Sequence, residues 1–374
     1  MLALALWAVA LASIPAATHT PGTSQANRQL EALQSRAAAA REAGRLEDAL
    51  ALYREGLRLE SNWDEGRWYV ASVLYELNRY AEARDAFSEV LRQQPSHAGA
   101  MGMRGLCEFE LRRYEQALVD LLQARKMGVS RTPGIGTVVR YHAAILLTRF
   151  GDFEVANQML TEFVAAGTDT DTPQVIDAFG VNVLRMPMLP AEVPQDARER
   201  VALAGRAGYA MAARHLESAG ALLDELAARY PSTPNVHYMR GVFQLTGNAD
   251  RALEEFRQEL EISPDHVPAR LQIAFEYLKR GEPARAEAPA TEAVKLSPDY
   301  FAARLALGQA LLEMGDSNRS IVELEKAAAL APESPQPHFI LARAYARAGR
   351  KADADRARAQ FTRLDQIVKA ARDR

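Results

Sequence analysis

The 374-residue chain is poor in cysteine, in aromatic residues and in net charge. Its single cysteine, Cys107, excludes a disulfide within the chain. Because Cys107 stands beside Leu106 and close to Phe109, we expect a small buried apolar side chain rather than a reactive thiol. Aromatic residues make up 7% and the formal net charge is −3, which argues against the basic balance typical of nucleic-acid-binding proteins. Apolar residues still reach 48%, as in a folded chain.

Motifs for catalysis, metal binding and phosphate binding are also missing. The sequence has no His-Glu-x-x-His, no Gly-x-Ser-x-Gly and no Gly-x4-Gly-Lys. Its seven histidines never fall within one helical turn of each other, so no pair has metal-ligand spacing. Gly134-Ile135-Gly136 is expected to be a turn between repeats, and Asp169 and Asp171 are expected to serve capping and turn roles. We therefore predict a protein that is not an enzyme and holds no cofactor, metal or small-molecule substrate.

The N-terminus carries the longest uncharged apolar run, Met1–Ile14, which is too short to span a bilayer comfortably. The polar residues after it predict a secretory signal within residues 1–26, cleaved near Ala16 or after Ala26. No Lys or Arg precedes the run, so a mis-assigned start or an uncleaved anchor, with membrane association through residues 1–17, stays an alternative. The resulting expectation is an exported, periplasmic protein.

Pairs of small residues recur along the chain. The two members of a pair are twelve residues apart, or eleven in one case, and adjacent pairs are mostly thirty-four apart. A fixed period of this length indicates stacked two-helix units. The pairs are Ala37/Ala49, Ala71/Ala83, Gly105/Ala117, Ala144/Ala156, Ala207/Ala219, Gly241/Ala252, Ala274/Ala286, Gly308/Ser320 and Ala342/Ala354.

Each unit is predicted to contain two amphipathic helices joined by a short turn. In one unit, residues 64–77 and 80–93 form the helices and Pro95 ends the second, since proline cannot donate its backbone N–H. Small residues let the two helix axes approach closely where they cross. Four residues after the second small residue stands a large apolar residue in most units, such as Phe87, which we expect to pack against the next unit.

This pattern resembles the tetratricopeptide repeat family over about residues 30–163 and 200–363. The residues that carry the match in two units are Ala83, Phe87, Pro95, Gly105, Tyr114 and Ala117. The departures are Ser320 in place of Ala, and Ala290 and Arg358 in place of the large residue. The resemblance implies an all-α fold, a right-handed superhelix of about eight to nine helix-turn-helix repeats.

The repeat spacing breaks between Ala156 and Ala219, which are sixty-three residues apart. Thr172-Pro173 predicts a helix start, and residues 186–194 contain three prolines that rule out a regular helix. We interpret this region as a half-repeat whose second helix is replaced by an extended apolar strap. The predicted organisation is a signal or anchor over 1–26, a first array over 27–166, a half-repeat and Pro-rich connector over 167–199, a second array over 200–334, and a terminal repeat with a basic capping helix over 335–374.

The resemblance also implies that one side of each first helix lines a concave groove. The predicted groove anchors are Trp68, Tyr75, Phe109, Tyr141, Tyr238, Phe275 and Phe339. The basic side chains with which chaperone-binding relatives grip a terminal carboxylate are absent. We predict a non-enzymatic scaffold that binds a helical or extended apolar segment of another protein in the groove. Two alternatives concern the groove: the aromatic residues could pack between neighbouring helices, or the strap could occupy it. The alternative function is a structural, oligomerising subunit of a cell-envelope assembly.

Overall fold

A computed structural model describes residues 25–131, 134–166 and 171–372. Most of the predicted signal and Asp169 lie outside the described residues. The described residues are all-α, as predicted, with no strand. The helices are α1 (Gln25–Glu42), α2 (Leu46–Leu59), α3 (Asp64–Glu76), α4 (Tyr80–Gln93), α5 (Ala98–Glu110), α6 (Tyr114–Lys126), α7 (Ile135–Arg149), α8 (Phe153–Ala166), α9 (Pro173–Val183), α10 (Arg198–Ala212), α11 (Leu216–Arg229), α12 (Val236–Gln244), α13 (Ala249–Ile262), α14 (Val267–Lys279), α15 (Pro283–Leu296), α16 (Phe301–Glu313), α17 (Ser317–Leu330), α18 (Gln336–Arg347) and α19 (Lys351–Arg372).

The helices form two compact units that meet in sequence within α11, between Ala219 and Gly220. Unit 1 contains the pairs α1–α2, α3–α4, α5–α6 and α7–α8, followed by α9 and α10. Unit 2 contains the pairs α12–α13, α14–α15, α16–α17 and α18–α19. In each unit the first helices of successive pairs touch: α5 contacts α7, and α14 contacts α16. The domain boundaries drawn from the sequence stay a prediction.

The small residues lie where the two helices of a pair cross, as the sequence predicts. A Cβ atom on Gly241 would stand 2.4 Å from the ring of Phe256, and one on Gly308 would stand 2.6 Å from Leu324. Both distances are too short for any real Cβ contact, so a larger residue would push the helices apart. Cys107 is buried in the core of unit 1, and burial raises the pKa of its thiol. It therefore behaves as the predicted small apolar side chain.

The large apolar residue of the second helix packs on the first helix of its own pair. The ring of Phe87 meets Trp68 edge-on at a centroid distance of 5.4 Å, and Phe256 lies against Gly241. Contact of these rings with the next pair stays a prediction. The ring contacts the first helix of its own pair because the small residue on that helix, such as Gly241, leaves space where the two helices cross.

The turns and caps follow the sequence with one exception. Gly281 and Gly315 adopt φ of 71° and 93°, the left-handed region that favours glycine, and Gly134 precedes α7 in a turn. Thr172 and Pro173 occupy the N-cap and first position of α9, as predicted. The Thr172 hydroxyl, however, makes no capping hydrogen bond, so this helix start depends on the proline and on backbone geometry.

Residues 186–194 contain no α-helix, only a short 3-10 turn at Pro190–Glu192. The strap is fixed to unit 1: Leu189 packs into its core, and Glu192 forms an ion pair with Arg149 at the end of α7. The helix α10 that follows packs along α9. Helix α9, the predicted half-repeat, therefore packs against α10. The strap connects these two helices and is attached to unit 1 through Leu189 and Glu192.

The described part of unit 2 ends on α19 with a polar face. Ala354 and Ala357 of α19 are buried against α18. Arg358 stands where buried Leu324 stands one repeat earlier, and both Arg358 and Thr362 are exposed.

Candidate interaction surface on the first helices

Two of the seven predicted anchors, Trp68 and Tyr75, are buried. Trp68 is 4% exposed and its ring lies between Phe87 and His97, stacked on His97 at 5.1 Å. Tyr75 is 7% exposed and meets Tyr80 edge-on at 5.2 Å. Because α3 and its neighbours pack so closely, these rings stabilise the core of unit 1. The expectation that Trp68 and Tyr75 are open to a partner is corrected.

Phe109 and Tyr141 remain half-buried on the first helices of unit 1, and the structure brings them together through His142. The ring of His142 meets Phe109 at 4.7 Å and Tyr141 at 5.3 Å, both edge-on. The Tyr141 hydroxyl donates to the backbone oxygen of Gln174 at 3.3 Å, which ties α7 to α9. We call Phe109 and Tyr141 the unit-1 face.

Burial controls the charge state of this aromatic group. It lowers the pKa of His142 to about 4, although the His142 Nδ1–H donates to Val138 O at 2.9 Å, which opposes the shift. Burial also raises the pKa of Tyr141, and the charge of Asp177 raises it further. The ring of His142 is therefore neutral near pH 7 and serves as a flat packing element rather than a charged contact.

In unit 2 the three predicted anchors are more accessible. Tyr238 and Phe275 are half-buried against the core, and Phe339 is 50% exposed. The rim of the Phe339 ring contacts Phe361 of α19 at a centroid distance of 5.3 Å. Half-buried Val242 and Leu278 lie on the same helices. We call Tyr238, Val242, Phe275, Leu278 and Phe339 the unit-2 face.

A buried polar network supports Tyr238. The Glu259 carboxylate accepts hydrogen bonds from the backbone N–H of Asn235 at 2.8 Å and of Tyr238 at 3.1 Å, so it caps α12. His266 Nε2 lies 2.8 Å from Asn235 Oδ1, while its Nδ1 accepts from Ala269 N at the start of α14. These contacts fix the starts of α12 and α14, and the sequence pattern of apolar residues gave no sign of them.

Ion pairs join neighbouring first helices in both units. Arg41 of α1 pairs with Glu76 of α3 through Nε at 3.0 Å. Arg343 of α18 pairs with Glu313 of α16 at 2.8 Å. The anchor prediction omitted Glu76 and Glu313 because it selected apolar side chains only. The sequence does contain a signal for such a position, because a glutamate recurs at the thirty-four-residue repeat spacing, at Glu76 and Glu110.

Within residues 25–131, 134–166 and 171–372, no three His, Cys, Asp or Glu side chains are grouped so that they could hold a metal ion. Over the same residues, no helix combines the length and apolar character that crossing a membrane requires.

Stacked helix pairs that cross on small residues and present aromatic side chains from their first helices define a helical-repeat scaffold for protein–protein interaction. A tetratricopeptide repeat model matches residues 71–126, 205–267, 271–335 and 305–359. The chain belongs to the tetratricopeptide repeat family.

Among solved structures, the chain is similar to several forms of MamA. A MamA double mutant labelled RS-1 ArsTM is 21% identical with a TM-score of 0.43, over 46% of this chain and 97% of that one. A MamA form labelled MSR-1 is 20% identical with a TM-score of 0.39, over 46% of this chain and 98% of that one. No curated protein matches the chain.

Proposed function

We propose that the chain is a non-enzymatic scaffold that binds a segment of a partner polypeptide on the apolar faces of its first helices. The observation that carries this proposal is the unit-2 face, where Tyr238 and Phe275 are half-buried and Phe339 is 50% exposed. An exposed ring such as Phe339, fixed on a helix, makes a good anchor because little entropy is lost on binding.

The partner segment that fits these faces is an amphipathic helix or an extended apolar stretch. Burying one aromatic side chain removes about 150–250 Å² from water, which at about 25 cal/mol per Å² supplies a few kcal/mol before the cost of association. The accessible anchors are Phe109, Tyr141, Tyr238, Phe275 and Phe339. Several such contacts give roughly micromolar affinity, which suits a transient interaction.

Replacing Phe339 with alanine tests the proposal. Peptides selected from a displayed random library on the full chain supply the ligand, and fluorescence anisotropy measures their affinity. We expect Phe339→Ala to weaken binding by about 1–3 kcal/mol, because the ring is 50% exposed and contributes little to the core.

Val322→Ala is the matched control for Phe339→Ala. Val322 is 48% exposed in the same unit but lies on α17, a second helix, so its removal should leave the affinity within twofold. Equal losses in both variants, or a lowered melting temperature in Phe339→Ala, would show that the ring has no specific role in binding.

The alternative of an oligomerising envelope subunit stays a prediction, and light scattering of the purified chain distinguishes it from a monomeric scaffold. We also propose export through the signal within residues 1–26, which the mass of the mature N-terminus would check.

A further inference from the structure

His237, in the first turn of α12, has an oxygen acceptor at each of its two ring nitrogens. Its Nδ1 lies 2.7 Å from the Glu255 carboxylate of α13, and its Nε2 lies 3.2 Å from the backbone oxygen of Pro231 in the turn before α12. An ionised carboxylate and a carbonyl oxygen can only accept, and a neutral imidazole carries a single N–H. Both contacts are therefore hydrogen bonds at the same time only when the ring is doubly protonated and charged.

His266, the N-cap residue of α14, shows the opposite arrangement. Its Nδ1 accepts the backbone N–H of Ala269 at 3.0 Å, which requires a lone pair on that nitrogen. Its Nε2 then donates to Asn235 Oδ1 at 2.8 Å. The contacts of His266 thus suit a neutral ring, whereas those of His237 suit a charged one.

The charges around His237 favour its proton. Glu255 contacts His237 through Oε2 and Arg240 of α12 through Oε1, the latter at 2.9 Å. Arg240 also pairs with Asp224 of α11 at 2.9 Å, and buried Glu259 stands one turn after Glu255 on α13. The hydrogen bond to Glu255 accordingly raises the pKa of His237, against burial and the charge of Arg240, which lower it.

Loss of the proton forces His237 to give up one of its two contacts. The remaining N–H stays with Glu255, because a hydrogen bond to a charged acceptor is stronger than one to a neutral carbonyl. The contact that is lost is therefore the one to Pro231, which ties the turn to the helix that follows it.

The turn before α12 positions an anchor of the unit-2 face. Within it, Asn235 has a left-handed φ of 72° and donates its backbone N–H to Glu259 at 2.8 Å. Tyr238 stands directly after His237 and donates its own N–H to the same carboxylate at 3.1 Å. The helix has nine residues, and so short a helix depends on the contacts at its start.

We propose that His237 is a proton-dependent switch in unit 2: the charged ring fixes the turn before α12, and loss of its proton frees that turn and loosens Tyr238. Because folding raises the pKa of His237, the stabilising contribution is fully present below about pH 6.5. It is lost as the pH rises through the higher pKa of the folded protein. The consequence for binding rests on the proposed function: the unit-2 face holds its partner segment more tightly in mildly acidic than in alkaline solution.

Hydrogen exchange of the full chain at about pH 6 and about pH 8.5, corrected for the intrinsic exchange rates, tests the switch itself. In wild type, residues 232–240 should be about threefold to tenfold better protected at the lower pH, since a pKa shift of one unit corresponds to a tenfold change in an equilibrium. His237→Gln keeps at most one of the two contacts and should show no such difference. Glu255→Gln removes the negative charge and should move the transition to lower pH. His215→Gln is the control, because His215 is exposed on the turn before α11, and it should keep the wild-type difference.

A selected peptide without ionisable side chains, synthesised with blocked ends, tests the consequence for binding. It should bind wild type about threefold to tenfold more tightly at the lower pH and bind His237→Gln equally at both. Equal protection of residues 232–240 at both pH values in wild type, or the same difference in His237→Gln, would overturn the inference and leave the proposed function standing. Affinity that ignores pH while the protection changes would overturn the link to binding. Absence of any bound peptide would overturn the proposed function, and hydrogen exchange would still decide on the switch.

Discussion

Gly180→Ala should destabilise unit 1 by about 3 kcal/mol or more, because the change inserts a methyl group between two helix backbones. A Cβ atom on Gly180 of α9 would stand 2.1 Å from the backbone oxygen of Val201 in α10. The reciprocal position is equally close: a Cβ on Gly205 would stand 2.0 Å from the oxygen of Ile176. Backbone atoms cannot rotate away as a side chain does, so α9 and α10 must separate. Urea unfolding followed by circular dichroism measures the loss.

Gly220→Ala is the control for that experiment. Gly220 also lies inside a helix, α11, but a Cβ there would meet only the Phe243 ring at an ordinary 3.5 Å. Alanine is the better helix former, so this variant should gain about 0.5–1 kcal/mol. A Gly180→Ala protein that unfolds within about 1 kcal/mol of wild type would contradict the close contact between α9 and α10.

The sequence predicted the helix pairs and their crossings well because these depend on local spacing. A small residue opposite a large one, as at Gly241 and Phe256, is a contact within one unit of thirty-four residues. The contact between α9 and α10 was missed because Gly180 and Gly205 do not follow that spacing. The approach of their backbones depends on how the strap returns the chain, which no periodicity encodes.

The candidate site was predicted only in part. The helical periodicity of the sequence predicts which side of α3 carries Trp68 and Tyr75. It does not predict how closely the neighbouring helices pack over that side. Phe339 lies on α18, the first helix of the pair α18–α19, and is 50% exposed, with the ring of Phe361 of α19 against it.

Pro289 is the second position where a large effect is expected. It lies inside α15, where proline lacks the N–H that would bond the carbonyl of Arg285, four residues earlier. Proline also lacks a carboxylate, and in the two neighbouring repeats the residue at this position is a glutamate that pairs with a basic side chain on the first helix. One repeat later Arg304 pairs with Glu323 at 2.5 Å, and one repeat earlier His237 pairs with Glu255 at 2.7 Å.

Arg270 is the counterpart of Arg304, and Pro289 is the counterpart of Glu323. The Nη1 atom of Arg270 is buried without a hydrogen bond, which is costly for a charged group. Pro289→Glu should therefore restore a helical hydrogen bond and supply the missing carboxylate. We expect unit 2 to become more stable by about 2–3 kcal/mol, of which the backbone contributes the larger share.

Two further variants separate these contributions in urea unfolding. Pro289→Ala should show the backbone gain alone, and Arg270→Ala combined with Pro289→Glu should remove the ion pair from the total. A coupling of about 0.5–1 kcal/mol between positions 270 and 289 is expected for a partly exposed pair. If Pro289→Glu is no more stable than Pro289→Ala, the carboxylate does not reach Arg270. Should neither variant exceed the wild type in stability, α15 has already adapted to its proline.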